Sequence, residues 1–176
     1  MNQRYTNIIK HYKRYKLANP DTWIEYCSQQ PTLDLAIEKA ALCTNQNNKR
    51  HPHQYRLKRI DLSSFSGSLQ ENISDIASCT NFNDLINSVR SLKVAGIGEL
   101  TVYDVAVRIG SFMNIWPEQI YLHAGAKVGA FALIGHLNGD IISKQLLPEE
   151  FQTPDLSCYE LEDIMCIYKK IFLRNQ

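Results

Sequence analysis

Apolar residues recur every three or four positions along most of this chain, the spacing that lines one face of a helix turned toward a core. Over residues 5–18, Ile8, Ile9, Tyr12, Tyr15 and Leu17 are interleaved with Lys10, Lys13, Arg14 and Lys16, predicting a helix with a basic side that Asn19-Pro20 ends. Asp21 can cap a short helix carrying Trp23, Ile24 and Cys27. Thr32 can cap another, with Leu33, Leu35, Ala36, Ile37, Ala40, Ala41 and Leu42 as its apolar side.

Leu69, Ile73 and Ile76 predict a helix over 64–78, and Phe82, Leu85, Ile86, Val89 and Leu92 one over 81–93. Further helices are expected over 100–113, 123–137 and 156–173, the last burying Leu161, Ile164, Met165, Tyr168, Ile171 and Phe172. Asn138-Gly139-Asp140 reads as a turn. Alternation of period two is nearly absent, so the expected fold is all-α. It divides into a basic helical portion, 1–48, and a second portion, 49–176, that can pack with it as one unit.

Composition leaves that picture intact: 176 residues with 44% hydrophobic and 21% charged content suit a globular chain with a sizeable core. No uncharged apolar run reaches the ~18 residues of a membrane span, and the first residues lack the apolar segment of a signal peptide. The expected location is the cytoplasm, with no membrane partner. Five cysteines, Cys27, Cys43, Cys79, Cys158 and Cys166, form no CxxC pair and are expected as reduced thiols.

Charge changes the picture more. Residues 1–60 hold 11 Lys/Arg against 4 Asp/Glu, whereas residues 61–176 hold 8 against 14, so a net charge of +1 conceals a basic front and an acidic remainder. Such asymmetry suits a polyanion, yet opposite regions can equally pair within the fold or between copies. The densest positive stretch is KRHPHQYRLKR, ending at Arg59.

The stretch LKVAGIGELTVYDVAVRIG, from Leu92 to Gly110, sets two glycines before a predicted helix. Glycine permits positive φ, and its missing side chain lets backbone N–H groups reach an anion at the helix's positive end. The same turn also serves as a tight corner between packed helices. Glu99 competes with phosphate at that helix start while stabilising the helix dipole, and Arg90 and Lys93 can offset it.

Gly96, Ile97, Gly98 and Thr101, set between two predicted helices, resemble the hairpin of the helix-hairpin-helix DNA glycosylase superfamily; Val102 stands where that family has alanine. The resemblance covers about residues 81–135. It implies that Gly96, Ile97 and Gly98 bind a nucleic-acid phosphate through backbone amides, with a monovalent cation on carbonyls between Val94 and Gly98. The family's Schiff-base lysine would fall at Leu100 and its carboxylate at Tyr121, while only His123 matches further on. A leucine forms no imine and a neutral phenol does not replace a carboxylate, so glycosylase catalysis is not expected.

Two other groupings merit attention. Tyr121, His123 and Lys127 gather at one predicted helix start, suited either to acid–base work or to packing around Gly125 and Gly129. His51 and His53 lie two apart across Pro52, but no carboxylate or cysteine at supporting spacing joins them in sequence. Nucleophile-elbow, phosphate-loop and zinc-protease motifs are absent, and no cofactor is expected.

The leading expectation is a non-catalytic protein that binds a DNA or RNA backbone through Lys10, Lys13, Arg14, Arg50, Arg56, Arg59, Arg90, Lys93 and the glycine turn. A second reading is an assembly module with an acidic protein partner or a second copy of itself. A third is an enzyme using Tyr121, His123 and Lys127.

Overall fold

The computed structural model describes residues 2–174 and is all-α apart from one two-stranded ribbon. Its elements are α1 (Gln3–Ala18), α2 (Thr22–Ser28), α3 (Leu33–Leu42), α4 (Arg59–Glu71), α5 (Ile73–Ala77), α6 (Phe82–Ser91), α7 (Glu99–Met113), β1 (Ile120–Tyr121), α8 (Ala124–Ile134), β2 (Ile141–Ile142) and α9 (Cys158–Leu173). Helix starts follow side-chain chemistry. Asp21 accepts from the Trp23 and Ile24 amides, Thr32 from Leu35 and Asn81 from Asp84, while Ser157 and Glu160 form a reciprocal capping box on α9.

Two compact units divide the chain, one made of the segments that end at Pro20 and begin at Pro117, the other of Asp21–Trp116. The boundary near residue 49 suggested by the basic run therefore falls inside the second unit. The reason is local: Thr44 bridges Arg50, the His51 amide donates to the Cys43 carbonyl, and Trp23 Nε1 donates to the Lys49 carbonyl at 2.9 Å. These bonds tie the basic connector to α2 and α3.

In the Asp21–Trp116 unit α7 is central, packed by α2, α3 and α6. Val102, Val105, Ala106 and Ile109 are buried as the periodicity predicts, but so are Thr101, Tyr103 and Arg108. At Gly110 a β-carbon would lie 2.3 Å from the Ile115 carbonyl oxygen, so only glycine lets the chain fold back there. The helix expected over 64–78 is two, α4 and α5. Asn72 interrupts them, its side chain donating to the Ser68 carbonyl at 2.8 Å and competing with the helical ladder.

In the other unit, Ile8 and Tyr12 of α1 join Ile120, Leu122, Phe151, Leu161, Ile164, Met165 and Phe172 in one core. Tyr15 and Leu17 are exposed, and Ile171, expected inside, lies toward solvent. Gly129 lets α8 press onto α9: a β-carbon there would meet the Met165 carbonyl oxygen at 2.1 Å. Residues 120–121 form a strand that pairs antiparallel with β2, Ile120 opposite Ile142, where the periodicity gave no strand. Among the described residues, no helix is long and apolar enough to cross a membrane, and all five cysteines are free.

Candidate nucleic-acid interface

The glycine turn links α6 to α7. Gly96 has φ +89°, a conformation that strains any side chain, and an added β-carbon would lie 2.5 Å from the Asp61 carboxylate of α4. That face of the turn is therefore already covered by an acid. Ile97 is buried, its amide donating to the Val94 carbonyl at 3.2 Å. Gly98 caps α7 with open space around its α-carbon and no side-chain bond to the helix amides.

Glu99 gathers both neighbouring cations: Lys93 Nζ lies 2.6 Å from Oε1 and Arg90 Nε 2.9 Å from Oε2. These hydrogen bonds, Lys93's first, hold its carboxyl below the usual carboxylate range. Arg90 and Lys93 thus offset Glu99, and their charge is engaged by it.

A cleft of about 780 Å³ opens in the same unit, lined by Lys39, Asn48, Arg50, Tyr55 and Arg59 among others. Lys39 pairs with the adjacent Glu38 at 2.6 Å. Arg50 reaches the Leu57 carbonyl at 2.8 Å, bracing the connector, and Arg56 lies 5.6 Å from the centre of the exposed Tyr55 ring. Among the described residues Arg50, Arg56 and Arg59 form no ion pair. Arg59, on the cleft wall, opens α4 two positions before Asp61, the residue whose carboxylate lies against Gly96.

The α1 cations are placed otherwise. Lys13 pairs with Asp155 and Lys16 with Asp163 at 3.1 Å, and Tyr12, fully buried, donates to Asp163 at 3.1 Å. Burial, with the Asp163 charge, pushes the Tyr12 phenol well above its ordinary range. Lys10 and Arg14 are exposed.

A polar cluster stands at the heart of the Asp21–Trp116 unit. Asp104 Oδ2 lies 2.9 Å from His53 Nδ1, accepts from Gln54 Nε2 at 2.6 Å, and lies 3.9 Å from Arg108 Nη2. Arg108 is 3% exposed and donates to Gln54 Oε1 at 3.3 Å. Burial works to raise Asp104's pKa, but His53, Arg108 and Gln54 together hold it below the usual range. Burial, reinforced by the Arg108 charge, pushes His51 down to about 4, and burial pushes Cys27 up to about 12. His51, His53 and Asp104 have ligand atoms within 4.8 Å of one another, which places them within reach of one metal ion.

From the sequence His51 and His53 stood out as a pair, but not the Asp104, Gln54 and Arg108 that join them. Their signal was nevertheless present: Asp104 and Arg108 sit four apart inside an otherwise apolar helical run, the spacing of an ion pair on one helix face. The carboxylate absent from the His51 and His53 neighbourhood in sequence arrives from 51 positions downstream. Arg108 faces Asp104 in the core, away from any role at the glycine turn.

Tyr121, His123 and Lys127 go to different places. Tyr121 is buried in β1, His123 caps α8 with Nδ1 3.8 Å from Glu162, and Lys127 pairs with Asp140 near the turn at Gly139. The i,i+4 spacing of His123 and Lys127 is realised on α8, but each has its own acidic partner.

No family model matches the chain, and no curated protein or solved structure matches it.

Proposed function

We propose that the chain binds a nucleic-acid backbone without catalysis, using the Arg50, Arg56 and Arg59 side of the Asp21–Trp116 unit. The observation that carries this reading is the 780 Å³ cleft, in which Arg50 and Arg59 flank the exposed Tyr55 without forming an ion pair among the described residues, while the one acid on its wall, Glu38, is engaged by Lys39. Arginine is suited to phosphate because its planar fork donates two parallel hydrogen bonds, and an aromatic face beside it accepts a base. The uncapped amides of α7 at Gly98 supply a further phosphate contact at the helix's positive end. The Gly96 face contributes less, because Asp61 lies against it.

The Tyr121, His123 and Lys127 reading has less support, since Lys127 pairs with Asp140, His123 lies against Glu162 and Tyr121 is buried in β1. Binding of a fluorescent oligothymidylate and of a random-sequence duplex, followed by anisotropy across a salt series, tests the proposal. Affinity is expected to fall linearly on a log–log salt plot. Arg59→Glu should weaken it about tenfold, on the order of one phosphate contact at low salt, without lowering the melting temperature. Salt-independent binding, no binding at low salt, or an unchanged affinity in Arg59→Glu would overturn it.

A further inference from the structure

We propose that His51, His53 and Asp104 form a site for a divalent transition-metal ion of the Zn²⁺ type, with a coordination position left for water. This site stands independently of the nucleic-acid reading.

Local geometry brings the two imidazoles together. Pro52 fixes its own φ at the first position of a single 3-10 turn over Pro52–Gln54, and His51 caps that turn by accepting from the His53 amide at 3.3 Å. The two rings consequently stand with centroids 4.6 Å apart, nearly perpendicular. Asp104, from the middle of α7, supplies the carboxylate, its Oδ2 2.9 Å from His53 Nδ1.

The donor chemistry suits such an ion. Two imidazoles and one carboxylate are a nitrogen-rich set for borderline ions such as Zn²⁺, whereas Mg²⁺ and Ca²⁺ take oxygen donors. Tetrahedral donors at ~2.0–2.1 Å from Zn²⁺ lie about 3.3–3.4 Å apart. The observed ligand atoms lie within 4.8 Å of one another, with Asp104 Oδ2 and His53 Nδ1 2.9 Å apart, so small side-chain movements would close them onto one ion.

The surroundings are built as ligands require. Gln54 Nε2 holds the Asp104 carboxylate at 2.6 Å and is itself held by Arg108, while the Trp23 ring meets His51 edge-on at 4.8 Å. Trp23 in turn is fixed by its bond to the Lys49 carbonyl. His53 keeps 48% of its side chain exposed, giving an entry path from solvent. Arg108, 3.9 Å from the carboxylate, competes for its charge, so the imidazoles carry most of the affinity and the site rejects alkaline-earth ions.

The same contacts have a plainer use, a hydrogen bond from the connector to α7, and metal titration separates the two. The full chain is titrated with Co²⁺ under reducing conditions. One equivalent should give visible d–d absorption with no sulfur-to-cobalt charge-transfer band, and excess Mg²⁺ should not displace it. Zn²⁺ should compete and raise the melting temperature. In His53→Ala, whose side chain is half exposed, Co²⁺ affinity should drop at least about 100-fold, beyond the ~10–100-fold cost of losing a residue that merely orients a ligand. Asp104→Asn should lose it similarly, and far-UV circular dichroism checks that each variant is folded. No d–d absorption in the wild-type chain, a thiolate charge-transfer band, displacement by Mg²⁺, or wild-type affinity in folded His53→Ala would each overturn the proposal.

Discussion

Two basic regions of this molecule are equally rich in lysine and arginine and differ in what faces them. On α1, Lys10 and Arg14 are exposed, but Lys13 and Lys16 meet Asp155 and Asp163, so part of the chain's basic front is matched by its acidic remainder inside one unit. Around the cleft, Arg50, Arg56 and Arg59 meet backbone carbonyl, tyrosine and solvent. Counting charges along a sequence treats the two alike. Where the acids fold decides which cations keep their charge for a ligand.

The comparison breaks most sharply at Tyr12. Tyr12→Phe removes a buried hydrogen bond to Asp163 and should cost about 1–2 kcal/mol of stability while oligonucleotide affinity stays unchanged. Chemical denaturation alongside the anisotropy assay reads both. An affinity loss of the same size would mean that α1 belongs to the binding surface.

A smaller effect sharpens the same contrast at the glycine turn. Glu99 holds Arg90 and Lys93, and its carboxyl lies below the usual range because they hold it. Glu99→Gln should release both cations and strengthen oligonucleotide binding a few-fold at low salt, steepening the salt slope by up to ~2 contacts. The exposed ion pairs themselves are worth only about 0–1 kcal/mol, so the melting temperature should barely move at neutral pH. Because the pairs lower the Glu99 pKa, what they contribute is present above its ordinary range, near 4.5, and fades as pH falls through the depressed value.

The helical periodicity made most of the fold legible. The buried Val102, Val105, Ala106 and Ile109 face of α7 and the cap residues Asp21 and Thr32 all stand where local chemistry places them. Three features were not legible, one decided by a local side-chain bond and two by residues distant in sequence. Asn72 splits one expected helix by bonding Ser68, and β1 exists through its pairing with β2 rather than through any alternation of its own. The unit boundary falls at Pro20 because Ile8 and Tyr12 find their core among residues beyond Pro117.

The candidate sites divide in the same way. Arg50, Arg56 and Arg59 were visible as a charge run, but their cleft takes Lys39 and Leu42 from α3, which no local pattern connects to them. Asp61 against Gly96 and Asp104 against His53 are long-range pairings, and each alters what a motif read in isolation implies.

If oligonucleotide binding belongs to the cleft and not to α1, the backbone amides around the cleft report it. An amide chemical-shift titration of the full chain with oligothymidylate at low salt tests it most directly. Perturbations should cluster at Lys39, Arg50 to Arg59 and the Gly98–Glu99 amides, with Lys10 to Lys16 unmoved. Perturbations confined to α1, or none anywhere at saturating oligonucleotide, would contradict it.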